Sequence, residues 1–209
     1  MNILHIDCSP RQGSHSRLLS AAIVEKLLAL ASGVSITRRD IGTVPLPHMS
    51  PAYSLALSTP TTLANPPAGA FDLSETLIQE VEAADVIVIG TPMNNLTVPS
   101  VFKAWIDQIL RAGRTFMSTP AGKVGMLRDR PVFIGVASGG VFSGHRASQP
   151  DFLTPYLSVV LESIGLKKLQ FFSIQATAFL DSEQATLARD TALAMIDLKD
   201  VQKFLLEEF

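Results

Sequence analysis

Hydrophobic positions along the chain follow two rhythms, and the alternation between them predicts the secondary structure. Four short apolar, largely β-branched runs stand out at residues 3–6, 34–41, 85–90 and 131–137, and a fifth covers 169–174. In the third (Val86-Ile87-Val88-Ile89) and fourth (Val132-Phe133-Ile134-Gly135-Val136), successive positions are apolar rather than alternate ones. A strand apolar on both faces belongs to a sheet covered on both sides, as parallel sheets are. Between these runs the apolar positions recur at helical spacing. Residues 16–31 carry Leu19, Ile23, Leu27 and Leu30 on one stripe, with Gly33 as a stop. Residues 72–84 place Leu73, Leu77 and Val81 on one face, behind Asp72 as a cap. Residues 100–112 hold Val101, Trp105 and Ile109 in register before Gly113, and helices over 149–164 and 182–206 complete the series.

Strands and helices in alternation, joined by right-handed crossovers, predict a three-layer, doubly wound α/β fold. Five parallel strands with a polar turn directly after the first point to the flavodoxin-like order 2-1-3-4-5. Two stretches break the alternation. Residues 44–70 hold six of the 13 prolines and only weak periodicity, which predicts a long excursion with one short helix. Residues 116–127, with Pro120 and two glycines, read as a hairpin or irregular insertion. A length of 209 residues suits a single domain, since one core stops growing at about 250.

Charge and cysteine content narrow the functional classes. A net charge of −2 gives no electrostatic footprint for nucleic acid or an anionic membrane surface. The single cysteine, Cys8, excludes an intramolecular disulfide and a cysteine-based zinc site. The four histidines lack metal-ligand spacing, so no metal is expected. No run approaches the roughly 18 apolar residues of a membrane span, and no signal peptide is evident at the N-terminus. A reducing, cytoplasmic setting is the expectation.

In open α/β sheets, ligands sit outside the carboxyl ends of the strands, where strand order reverses. The turn after the first strand reads Cys8-Ser9-Pro10-Arg11-Gln12-Gly13-Ser14-His15-Ser16-Arg17. It brings several hydroxyls to a helix N-terminus, whose free N–H groups and positive dipole end attract anions. Each serine alone reads more simply as a helix cap or loop polar; the cluster points to a phosphate monoester. A Walker loop needs a Gly-Lys-Ser/Thr ending and a dinucleotide turn needs G-x-G-x-x-G, and both are missing. The turn after the third strand, Gly90-Thr91-Pro92-Met93-Asn94-Asn95-Leu96-Thr97-Val98-Pro99, is stiffened by proline and exposes amides. It suits the edge of a flat heteroaromatic ring. The turn after the fourth, Ala137-Ser138-Gly139-Gly140, allows close backbone approach to a ligand.

Together these turns resemble the FMN-dependent NADH-azoreductase family, flavodoxin-like relatives of the NAD(P)H quinone oxidoreductases. The matching segments are Ser9-Pro10-Arg11 with Ser14-His15-Ser16, then Pro92-Met93-Asn94-Asn95 running through Val98-Pro99 to Asp107. They continue through Arg111-Ala112-Gly113-Arg114-Thr115-Phe116, Ser138-Gly139-Gly140 and Thr154-Pro155-Tyr156-Leu157. The resemblance spans most of the chain, most specifically at 99–116. It implies FMN as cofactor, with Ser9, Arg11, Ser14, His15 and Ser16 at the ribityl phosphate. Pro92, Met93, Asn94, Asn95 and Leu96 would line the isoalloxazine ring, and Ala137, Ser138, Gly139 and Gly140 would meet its other edge. It further implies NADH or NADPH as hydride donor, a quinone or azo compound as acceptor, ping-pong kinetics, and a homodimer with the site at the interface. Where Asn94 and often Leu96 stand, the family usually has aromatic residues, and its phosphate loop is often one residue longer.

The flavin carries the hard chemistry in such enzymes, so no side chain is required as acid or base. His145 is the one candidate for polarising a carbonyl or donating a proton, beside the plainer reading of a solvated loop histidine. His5 reads as a packed strand residue, Cys8 as a small buried one, and Trp105 as core or interface. Asp107 and Arg111, spaced i, i+4, are expected to pair. The alternative from another class is a flavodoxin-like electron carrier. Such carriers are usually markedly acidic, so the charge of −2 and the long excursion favour the enzyme.

Overall fold

The computed structural model describes residues 1–207. The chain runs β1 (Asn2–Asp7), α1 (His15–Leu28), β2 (Ser35–Asp40), α2 (Pro51–Ala56), α3 (Pro60–Ala64), α4 (Asp72–Ala83) and β3 (Val86–Pro92). It continues with α5 (Ser100–Ile109), β4 (Phe116–Thr119), β5 (Gly122–Gly125), β6 (Val132–Ala137), α6 (Thr154–Glu162), β7 (Leu169–Ile174), α7 (Ser182–Ala194) and α8 (Lys199–Glu207). Five strands form one parallel sheet in the order β2-β1-β3-β6-β7. Counted along the chain within that sheet, this is the predicted order 2-1-3-4-5. The antiparallel pair of β4 and β5 forms a hairpin outside it.

The apolar runs of the inner strands explain the three layers. Along β3, Ile87 and Ile89 join α4, α5 and α6 on one face, while Val86 and Val88 join α1, α7 and α8 on the other. In β6, Val132, Ile134 and Val136 face the first core and Phe133 the second. Both faces of β3 and β6 are therefore buried, which is why successive positions had to be apolar.

Helix ends follow local chemistry, with some departures from expectation. Ser14 caps α1, its hydroxyl accepting the Arg17 amide, so the helix begins one residue before the apolar pattern and ends at Leu28. Asp72 is not the cap of α4: it is already in the first turn, the cap position is Phe71, and no side chain bonds there. The other end of α4 is closed by buried Arg130, whose guanidinium binds the carbonyls of Val81, Glu82 and Ala84. The helix expected from 149 begins only at Thr154, where Asp151 accepts the Leu153 and Thr154 amides at 2.9 Å. α5 ends at Ile109 rather than at 112. The excursion holds two short helices, α2 and α3, each opened by a serine or threonine cap and a proline.

The expected 182–206 helix is broken between α7 and α8. The side chain of Gln170 takes both backbone groups of Asp197, donating to its carbonyl at 2.7 Å and accepting its amide at 3.1 Å. Nor do Asp107 and Arg111 pair. Asp107 binds Lys103, whereas Arg111 crosses to Ser74 and Glu75 of α4 and lies over the Phe71 ring.

Candidate functional site

The first turn is built around α1. Its helix N-terminus leaves the amides of the first turn without intrahelical acceptors, and Ser14, His15 and Ser16 stand there. The Ser14 and Ser16 hydroxyl oxygens are 3.4 Å apart. Ser9 returns toward them from the turn two residues past β1, its hydroxyl accepting the Arg11 amide at 3.3 Å and so keeping its own proton to donate. The three serines are buried in the fold and converge on one end of a cleft, with Arg11 exposed at its rim.

The loop is clamped from beneath. Arg17 is buried and donates from Nε to the Ser9 carbonyl at 2.8 Å, while its terminal nitrogens meet Asp40 and Asp7. Burial works against the Asp40 charge, but the Arg17 and Thr43 bonds outweigh it and hold this carboxyl at about 2. On the other side, Gly42 packs directly on Ser9: a Cβ there would stand 2.2 Å from the Ser9 carbonyl oxygen. Cys8 is fully buried beside the loop, and burial together with nearby Asp7 pushes its thiol well up. It is a packed residue, as expected.

The other end of the cleft is formed by the turns after β3 and β6. Pro92 pairs with Ala137 in the sheet register, and the Met93 amide donates to the Ala137 carbonyl at 2.8 Å. Asn94 and Thr97 exchange backbone hydrogen bonds at 2.9 and 3.1 Å, closing a tight turn with Asn95 at φ 48° and Leu96 at φ 73°. Two successive positive φ angles suit asparagine better than leucine. Leu96 is steadied through its carbonyl, which accepts the Phe152 amide at 3.1 Å.

The resulting cleft of about 320 Å³ is lined by Ser9, Arg11, Ser14, His15 and Ser16 at one end. Pro92, Met93, Asn94, Ala137 and Gly139 line the other. Of the residues singled out from sequence, Asn95, Leu96, Ser138 and Gly140 are not part of this lining; Asn95 is exposed and Ser138 buried. Thr177 and Ala178 line it without having been anticipated. They follow β7, whose carboxyl end obeys the same placement rule as the other strands, and the Thr177 amide reaches the Ser138 carbonyl at 3.0 Å. His145 lies in an exposed turn outside the lining. His5 is buried and binds Ser20 at 3.0 Å. Among the described residues no cluster of ligating side chains could hold a metal ion, and no helix is long and apolar enough to cross a membrane.

Comparison with known proteins agrees with this fold. Residues 1–197 match a family described as having a flavodoxin-like fold. The chain is 46% identical over 200 residues to FMN-dependent NADH:quinone oxidoreductase 4 of Pseudomonas fluorescens, covering 95% of each chain. It is 43% identical to FMN-dependent NADH:quinone oxidoreductase 2 of Cupriavidus pinatubonensis, over 84% of this chain and 86% of that one. An FMN-dependent NADH-azoreductase from Bacillus anthracis, solved in complex with FMN, shares the fold with a TM-score of 0.75. Its identity is 21%, over 94% of this chain and 99% of that one.

Proposed function

The chain belongs to the flavodoxin-like family of FMN-dependent NADH:quinone oxidoreductases, and from that premise we propose that it oxidises NADH or NADPH and reduces quinones or aromatic azo compounds through FMN. The observation that carries this reading is the meeting of three serine hydroxyls with the first turn of α1, at the carboxyl edge of the sheet and at one end of a single cleft. The donor set fits a phosphate monoester: it offers neutral hydroxyls, free amides and the Arg11 cation to a group of roughly two negative charges. Arg17 takes no direct part, because its charge is already matched by Asp40 and Asp7.

When bound, FMN supplies the redox chemistry, taking hydride from a nicotinamide and giving it to the acceptor. The protein's part is to bind and orient. Ser9, Arg11, Ser14, His15 and Ser16 hold the phosphate, while Pro92, Met93, Asn94, Ala137 and Gly139 seat the ring. Ser138 supports the ring end through its contacts with Met93 and Thr177, while Asn95, Leu96 and Gly140 belong to the same turns without lining the cleft. The small, exposed Asn94 leaves the ring wall more open and more polar than an aromatic residue would. A volume of about 320 Å³ is at the small end for ligand pockets, and a second copy of the chain completes the site in a homodimer. A reducing cytoplasm suits the lone thiol of Cys8.

One spectrum tests the reading. Purified protein loaded with FMN should show the flavin bands, bleach with NADH and recover with a quinone. Initial-velocity plots against the second substrate should be parallel, since one site serves both half-reactions in turn. Failure to take up FMN refutes the assignment. A stable FMN complex that neither NADH nor NADPH bleaches makes the protein an electron carrier instead.

A further inference from the structure

Gln149 stands outside every motif that pointed to the cleft, yet it joins the two turns that form the ring end. Its Nε2 donates to the Ser138 hydroxyl at 3.1 Å and lies 3.3 Å from the Met93 sulfur. A thioether can only accept, so the amide edge turned toward Met93 is its NH2 group. Ser138 also donates weakly to the same sulfur at 3.8 Å. Met93 and Ser138 are both buried, and they belong to the turns after β3 and β6.

Gly140 makes room for this amide. A Cβ at that position would stand 2.4 Å from Gln149 Oε1 and 2.9 Å from its Cδ, whereas at Gly139 the nearest atom is Ala178 Cβ at an ordinary 3.7 Å. The paired glycines therefore do different work: Gly139 faces the cleft, and Gly140 admits a side chain from the protein itself. The backbone of Gln149 is held as well. The Ser148 and Gln149 amides converge on the Val141 carbonyl at 2.8 and 3.2 Å, and Gln175 takes the Phe142 and Ser143 amides at 2.7 and 3.0 Å.

We propose that Gln149 is a positioning residue for the ring end of the cleft, its side-chain amide fixing the Met93 turn against the Ser138 turn. The inference rests on the functional reading above. Methionine is flexible, with three rotatable side-chain bonds, and without the amide it is free to repack. The spacing that seats the flat ring and stacks the second substrate on it then loosens. The phosphate end, at the far side of the cleft, is untouched.

The test compares the FMN-loaded wild type with Gln149→Leu, which keeps the bulk and removes the donor, and with Gly140→Ala, which evicts the amide. Both variants should raise KM for a quinone about tenfold, the scale of one to two lost hydrogen bonds. They should also shift the visible flavin bands and the flavin midpoint potential. The FMN dissociation constant should change less than about threefold, since its phosphate contacts remain. The double variant should be no worse than either single one, because both act on the same contact. Wild-type KM, spectrum and potential in Gln149→Leu overturn the proposal. So does a parallel fall in FMN affinity and melting temperature without a KM effect, which marks a structural role only. If the wild type itself takes up no FMN, the functional reading fails and the proposal with it, and the first spectrum tells these cases apart.

Discussion

The Arg17 guanidinium donates to the main-chain carbonyl of Ser9 across 2.8 Å, joining the first turn of α1 to the turn after β1 from within the protein. The same group meets Asp40 and Asp7, so its charge is spent on the fold and not on a ligand. Arg17→Met keeps the side-chain length, removes the donors and leaves two carboxylates facing no cation. Breaking a largely buried pair from one side should cost roughly 2–3 kcal/mol, discounted here because Asp40 is partly solvated. With the Ser9 carbonyl released, FMN affinity should fall about tenfold, while Arg17→Lys, which keeps the charge, should recover most of the stability but less of the affinity. Urea unfolding and flavin titration measure the two effects separately. Unchanged FMN binding in Arg17→Met would show that the loop holds its shape without this clamp.

The Cys8 thiol should be inert. It is fully buried, its amide donates to the Gly90 carbonyl at 2.9 Å, and burial followed by the Asp7 charge pushes the thiol well above its ordinary value. The thiolate is the reactive form, so a colorimetric thiol reagent at pH 8 should find no accessible group in the native protein and one equivalent after denaturation. Rapid labelling of the native state would return Cys8 to consideration as a redox residue.

The elements that sequence reveals best are those whose own residues decide them. The unbroken apolar runs of β3 and β6 carry the two-sided burial in themselves, and Ser14 carries its cap, so the sheet order and the serine-lined end of the cleft were both legible. What sequence hides is decided by residues far away. The break between α7 and α8 depends on Gln170 taking the backbone of Asp197, 27 positions along. Arg111 turns away from Asp107 because α5 has already ended at Ile109 and Glu75 and Ser74 lie across the interface. Gln149 reaches the Met93 and Ser138 turns, and Thr177 the cleft, through loops whose course no local periodicity sets. The carboxyl-end rule extended to β7 would have found Thr177, but no comparable signal marks Gln149.

Acid should weaken the protein within a defined window. The Arg114 hydrogen bonds, outweighing burial and joined by Arg111, hold Glu75 down from an ordinary 4.5 to about 2. Arg17 holds Asp40 from 3.8 to about 2 against the opposing effect of burial. Both carboxyls are depressed in the folded state, so the unfolded chain binds protons first. The stability they contribute is complete above the ordinary carboxylate range and is lost as pH falls toward about 2. The urea midpoint should therefore show little carboxylate-linked change between pH 7 and pH 5 and decline below that. In Glu75→Gln the decline should be shallower, since one of the depressed carboxyls no longer titrates. An identical pH profile in the variant would remove Glu75 from the account.

Leu96 occupies a backbone conformation that its side chain disfavours, at φ 73° in the turn that Asn94 and Thr97 close. The preceding Asn95, at φ 48°, is suited to this region, but leucine there stores roughly 1–2 kcal/mol. The ladder bonds of the turn and the Phe152 amide on the Leu96 carbonyl hold it in place. Two substitutions separate strain from packing. Leu96→Gly removes the strain together with a half-buried side chain, so the melting temperature should stay level or rise. Leu96→Ile keeps the volume but adds a β-branch, which positive φ tolerates least, so it should destabilise by about 1–2 kcal/mol. Thermal melts of the FMN-loaded proteins decide between them. If isoleucine is neutral while glycine destabilises, the side chain's packing governs the turn rather than its backbone. With strain in control, the glycine variant should also show a raised quinone KM, because a relaxed turn no longer presents Asn94 to the ring at a fixed angle.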